Sequence, residues 1–99
     1  MNIRKSRLAD EIRDILGSSL MGGRLEDPRL QGVTVTAVKL SADLQVATVY
    51  FTILGEQHPD QRDVAVSGLE SASGLFRHML ADSLKLRRVP SLRFFFDRV

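Results

Sequence analysis

The sequence predicts an α+β domain of two layers, a three-stranded sheet with its helices on one face. Three observations lead there. Apolar residues recur at helical spacing at the start of the chain and again on both sides of Ala72-Ser73-Gly74. Two β-branched runs, Val33–Val38 and Val46–Ile53, are separated by a short polar break. Pro90 closes the last helical pattern and is followed by the apolar stretch Leu92-Arg93-Phe94-Phe95-Phe96-Asp97. The order is helix, strand, strand, helix, kink, helix, strand, and helices must then cover one sheet face.

The first helix is predicted from about Ser6 to Leu20. Leu8, Ile12, Ile15, Leu16 and Leu20 form its apolar stripe, and Asp10, Glu11, Arg13 and Asp14 lie on its other sides. Gly22-Gly23 ends it. Arg24 to Gln31 is a connection in which Asp27-Pro28 holds an extended or turn geometry. In the strand Val46–Ile53, Ala47, Val49, Phe51 and Ile53 share one face, which is the better core candidate. Ser41-Ala42-Asp43 is short enough to make a hairpin of the two strands. After a loop from Gly55 to Asp60, Pro59 and Asp60 start the next helix.

Ala72-Ser73-Gly74 reads as a kink or tight junction, with Gly74 present for backbone freedom or close approach of another segment. The helix beyond it is predicted to end in Lys85-Leu86-Arg87-Arg88. Phe94 and Phe96 are core candidates, and the face carrying Tyr50 and Phe95 is left open to solvent or a partner. Aromatic residues on strands mostly pack, so packing is preferred to base stacking for Tyr50 and Phe95.

Ninety-nine residues make one domain, with 43% hydrophobic and 26% charged residues, as in ordinary globular proteins. There is no cysteine, so disulfide, thiolate and cysteine–zinc chemistry are excluded. No apolar run reaches membrane-spanning length. The basic start is followed at once by acidic residues, unlike a signal peptide. A cytoplasmic protein is expected, with no cofactor, metal or small-molecule substrate. Net charge is only +2, but its distribution is uneven. Glu56 to Glu70 carries four acidic residues and one basic, whereas Arg77 to Arg98 carries six basic and two acidic.

The residues resemble the bacterial ribosome-binding factor A family over essentially the whole length. The carrying pieces are Asp27-Pro28-Arg29-Leu30, Ser41-Ala42-Asp43-Leu44 leading into Ala47-Thr48-Val49-Tyr50-Phe51-Thr52, Ala72-Ser73-Gly74-Leu75-Phe76-Arg77, and Leu84 to Phe94. The resemblance implies a KH-like fold of the second type, order αββααβ, in which an Ala-x-Gly kink replaces the GxxG loop. It implies a role in late maturation of the small ribosomal subunit and processing of its ribosomal RNA, by binding that RNA near its 5′-terminal helix. Family members often carry a further C-terminal tail, whereas this chain stops at Val99, and contacts made by such a tail are absent from it.

The residues themselves also favour RNA. A helix starting at the kink would present the amides of Leu75, Phe76 and Arg77 to a phosphate, beside Ala72, Ser73 and Gly74. Arg77 could add charge. Lys85 alone is accounted for by the dipole of a helix C-terminus, but Lys85, Arg87 and Arg88 together exceed that need. Arg4, Lys5 and Arg7 are first a solvated helix start and second a further RNA contact. His58 and His78 have no partners at metal-ligand spacing. No nucleophile elbow, P-loop or dinucleotide fingerprint supports an enzyme. A small protein-interaction module is the remaining alternative, and the kink with the basic run argues against it. The expected partner is the small ribosomal subunit and its RNA, with no membrane, and the free chain is expected to be a monomer.

Overall fold

The computed structural model describes residues 3–22 and 25–98. Its elements are α1 (Ile3–Met21), a 3-10 turn (Pro28–Leu30), β1 (Val33–Leu40), β2 (Val46–Ile53), α2 (Asp60–Ser71), α3 (Ser73–Leu84) and β3 (Ser91–Phe96). The predicted α+β order holds. Gly23 and Arg24, placed at the helix end and in the connection, lie outside the described residues, as does Val99.

α1 buries Ala9, Ile12 and Leu16, with Leu8, Ile15 and Leu20 partly covered. It begins earlier than expected and takes Arg4, Lys5 and Arg7 into its first turns, because no residue there disfavours helix. The Gly22 amide donates to the Ser18 carbonyl at 2.8 Å and carries the last turn past Met21. Asp27 caps the 3-10 turn, its carboxylate accepting from the Arg29 amide at 2.9 Å. Asp60 and Asp63 sit in the first turn of α2, where negative charge suits the helix dipole.

β1 and β2 pair antiparallel, and β3 runs parallel to β2, giving the order β1-β2-β3. On β2 the predicted inner face is correct, with Ala47, Val49, Phe51 and Ile53 all buried. β1 contains a bulge that strict alternation does not show. Val35 pairs with Phe51 and Ala37 with Tyr50, leaving Thr36 as the extra residue. The bulge changes parity, so Val33 and Val35 before it and Val38 and Leu40 after it share the core side.

All three helices contribute to one core. Ile12 and Leu16 from α1, Val49 and Phe51 from β2, Leu69 from α2, and Phe76 and Leu80 from α3 are fully buried. The Phe76 and Phe94 rings lie 6.3 Å apart, and Phe51 meets Phe96 edge-on at 5.7 Å. The Arg62 guanidinium covers the Phe96 ring at 4.0 Å while pairing with Glu56 at 2.6 Å. Buried Ser19 joins α1 to α3, donating to the Ile15 carbonyl at 2.8 Å and lying 3.5 Å from the Met79 sulfur.

The close approach assigned to Gly74 belongs to Gly68 instead. A Cβ on Gly68 would come within 3.0 Å of both the Arg29 Cβ and a Leu30 methyl, since α2 lies directly on the 3-10 turn. Gly74 is an ordinary helical residue with no atom within 4 Å of a built Cβ. The break lies one residue before Ser73, at Ala72 (φ −85°, ψ −2°).

Replacing Ile12 with Ala should destabilise the domain by about 2–5 kcal/mol in denaturant titration, since the side chain is wholly buried. The two glycines should diverge. Gly74→Ala should raise stability by about 0.4–1 kcal/mol, having space and a compatible backbone. Gly68→Val should lower it, because its branches must displace the 3-10 turn. A loss of stability in Gly74→Ala would contradict the assignment.

Candidate nucleic-acid interface

The predicted site residues begin at the α2–α3 junction. The Ala72 amide donates to the Gly68 carbonyl at 3.1 Å, and the Phe76 amide donates to the Ala72 carbonyl at 3.0 Å. Ala72 thus ends one ladder and starts the next: the Phe76 amide, expected to face a phosphate, is bonded, whereas among the described residues no backbone bond runs from Ser73, Gly74 or Leu75 back to α2. Ala72 and Ser73 are half-buried and Gly74 is exposed. Beside them lies a shallow pocket of about 290 Å³ bordered by Leu25, Leu30, Leu75, Glu26 and Asp27. Its apolar lining and carboxylates do not suit a phosphate.

The basic run lies at the other end of α3, whose twelve residues span about 18 Å. Lys85, Arg87 and Arg88 were expected to finish the helix, but α3 stops at Leu84 and has no basic residue in its last turn. Lys85 turns into the left-handed region (φ 52°, ψ 38°) and ends the helix there. Val89 precedes a proline, which favours extended backbone. The cations therefore do not complement the last helical turn; they stand on a loop. Leu86 and Val89 are half-buried and Pro90 is buried, so the loop is anchored by apolar contacts while Lys85, Arg87 and Arg88 face outward. Arg77, also exposed, donates to the Val89 carbonyl at 3.3 Å and joins this group. Lys85 makes one loose ion pair, 3.9 Å from Asp82, with both side chains at least 80% exposed.

The sheet brings the second basic run to the same end. The Ser91 amide, just past the loop, donates to the Gln45 carbonyl in the β1–β2 hairpin at 2.8 Å. Lys5 lines a cleft between α1 and the end of β1, together with Val38, Lys39 and Leu40. α1 therefore starts where β1 ends and β3 begins. Arg4, Lys5 and Arg7 share one end of the domain with the loop from Lys85 to Arg88. Lys39 and Arg93 belong to this end too and were missed. Their signal was the strand alternation that points them away from the core face, obscured in β1 by the bulge at Thr36.

Two cations of the opposite end, Arg29 and Arg62, are differently engaged. Both oxygens of Asp27 accept from the Arg29 guanidinium, Oδ1 at 3.0 Å and Oδ2 at 2.7 Å, and Arg62 pairs with Glu56. Arg29 hydrogen bonding holds the Asp27 carboxyl below the usual carboxylate range and raises the Arg29 guanidinium in turn. Arg87, Arg88 and Arg93 make no ion pair with the described residues.

The sequence matches the family model for ribosome-binding factor A over residues 4–99. The chain belongs to the ribosome-binding factor A family. Ribosome-binding factor A of Leuconostoc citreum is 46% identical over 96% of this chain and 80% of its own. That of Hydrogenovibrio crunogenus is 43% identical over 97% and 79%. The crystal structure of ribosome-binding factor A from Thermus thermophilus superposes with a TM-score of 0.79 at 33% identity, covering 93% of each chain. A homology model of the Thermus thermophilus factor, fitted into a cryo-EM map of a 30S–RbfA complex, gives 0.74 at 33% identity, over 95% of this chain and 96% of that one.

Within this chain, the predicted residues thus fall into two places. Arg77, Lys85, Arg87 and Arg88 gather at the end where α1 starts with Arg4, Lys5 and Arg7. Ala72, Ser73 and Gly74 lie at the far end of α3. Changing Lys85, Arg87 and Arg88 together to Ala should alter unfolding free energy by no more than about 0.5 kcal/mol. Their side chains point outward, while Leu86, Val89 and Pro90 hold the loop. A large loss in urea titration would place these cations in the structural framework instead.

Proposed function

We propose that this chain binds the small ribosomal subunit through its ribosomal RNA and assists late maturation of that subunit. The carrying observation is the meeting of two basic runs, distant in sequence, at one end of a ribosome-binding factor A fold. A Thermus thermophilus relative fitted into a map of its 30S complex supports the same partner. Exposed cations such as Arg87 and Arg88, with no ion pair among the described residues, gain most from phosphates, since contact releases counterions condensed on RNA. Phosphate contacts fix register and orientation without reading sequence, so the chain would act by holding a segment of RNA in place.

The finer reading is that the bound segment lies near the 5′-terminal helix of the RNA and that its processing depends on this contact. The protein acts as a binding factor in the cytoplasm and is a monomer when free, with no catalytic step of its own. Arg77, Lys85, Arg87 and Arg88 are assigned to phosphates first, and Arg4, Lys5 and Arg7 extend that surface. Ala72, Ser73 and Gly74 are assigned to the geometry of the helix pair, with no direct phosphate contact.

The chain should co-sediment with small ribosomal subunits at low salt and leave them at high salt. Chemical probing of the bound subunit should show protection near the 5′-terminal helix. Filter binding across several salt concentrations resolves the loop's part. Each lost phosphate contact lowers the slope of log affinity against log salt by about 0.9 on duplex or 0.7 on single strands. The triple Ala variant of Lys85, Arg87 and Arg88 should therefore flatten the slope by about 2–3 units. Equal slopes would move the RNA surface to Arg4, Lys5 and Arg7.

A further inference from the structure

We propose that the open face of the sheet is a stacking platform for unpaired RNA bases, separate from the basic loop that meets phosphates. The proposal rests on the RNA-binding reading above and assigns a second surface to it.

The helices all pack on one side of the sheet, against Ala47, Val49 and Phe51. The other side carries rows set by the strand register. One row runs Ala37, Tyr50, Phe95 across β1, β2 and β3. The next runs Lys39, Thr48, Arg93. Phe95 is 51% exposed, and its ring centroid lies 6.3 Å from that of Tyr50 at a tilt of 37°. The bulge at Thr36 sets small Ala37 directly opposite Tyr50, and Lys39 two residues on is the long β1 side chain that reaches its ring. The sheet neighbours of this row are threonines and cations, and no helix covers it.

Charge selects the occupant. Lys39 and Arg93 are exposed on the same face, with the Lys39 ammonium 5.7 Å from the Tyr50 ring centroid. They stand two residues along the strands from the aromatic row, about 7 Å away. That is the arrangement of a single-strand site: aromatic rings under bases, cations beside the linking phosphates. Arg93 also continues the basic surface from Arg88 through the start of β3, so a strand held by the loop can pass onto the face. On the opposite margin Asp97 accepts the Thr36 hydroxyl at 2.7 Å. Its carboxylate repels phosphate there and directs the backbone toward Lys39 and Arg93. A duplex has its bases stacked internally and cannot use the rings, so the platform discriminates for unpaired RNA.

The chain has one tyrosine and no tryptophan, so its ultraviolet emission reports Tyr50 directly. The probes are a short oligouridylate and an RNA duplex of matched length, titrated into the full chain. Oligouridylate should quench Tyr50 emission. Phe95→Ala should weaken oligouridylate binding about 5- to 150-fold, the range of one base–aromatic stack. It should leave duplex affinity and melting temperature near those of the unchanged chain. Arg93→Ala should lower the oligouridylate salt slope by about 0.7. Unquenched emission and unchanged oligouridylate affinity in Phe95→Ala, with binding still lost in the triple loop variant, would overturn the platform and leave the RNA reading intact. Failure of the unchanged chain to bind either RNA would overturn both. A concentration-dependent dimer abolished by Phe95→Ala, with RNA affinity intact, would assign the face to a second copy and overturn the proposal.

Discussion

The parallel pairing of β3 with β2 is the constraint on which the rest of the molecule depends. Antiparallel strands can be joined by a hairpin, but a parallel strand must be approached from the same end, which requires a long crossover. Here α2 and α3 form it. The crossover delivers Ser91 beside Gln45, so the segment preceding β3 ends at the hairpin side of the sheet. That placement exposes Arg87 and Arg88 at the end where α1 begins. With β3 antiparallel, the same loop would lie at the acidic end near Glu56 and Asp60. The basic end is thus a consequence of strand direction as much as of composition.

Electrostatic pairing sharpens this arrangement. A net charge of +2 is too small to steer a polyanion by itself, but the charges are not interchangeable. Arg29 and Arg62 are held by short bonds to carboxylates, and Arg62 also rests on Phe96. Their charge is locally balanced and their side chains are ordered. The loop cations have at most the loose Lys85–Asp82 contact, which screening at physiological salt reduces further. The field therefore grows toward one end although the sum is almost neutral.

Much of the fold was legible because its period signals are strong. The stripe from Leu8 to Leu20 and the alternation from Ala47 to Ile53 each match one secondary-structure period, and both faces are buried as read. The misreadings fall where three-dimensional contact overrides local pattern. Gly68 sits inside an ordinary helical run, and only the 3-10 turn against it reveals why its side chain is missing. Gly74 stands at a visible break in pattern and invites the same explanation, yet the space around it is open. The bulge at Thr36 conceals that Lys39 faces outward, since simple alternation from Val33 would put it on the core side. Lys85 in the left-handed region is likewise invisible to propensity, because it lacks the glycine that usually marks such a helix end.

The α2–α3 junction offers only part of what a phosphate site at a helix start requires. A phosphate site at a helix start needs amides that point outward and lack partners, together with positive surroundings. At this junction Ala72 stays in the right-handed helical region and accepts the Phe76 amide, while among the described residues no backbone bond runs from Ser73, Gly74 or Leu75 back to α2, so the surroundings decide. Glu26 and Asp27 flank the adjacent pocket, and Leu25, Leu30 and Leu75 make its walls apolar. What the bend does accomplish is orientation. It turns α3 so that Phe76 and Leu80 enter the core while Ser19 of α1 meets Met79. The same turn aims the C-terminal end of α3 at the hairpin side of the sheet. The junction thus sets where Arg77 and the loop beyond Leu84 come to lie, at the end where α1 begins.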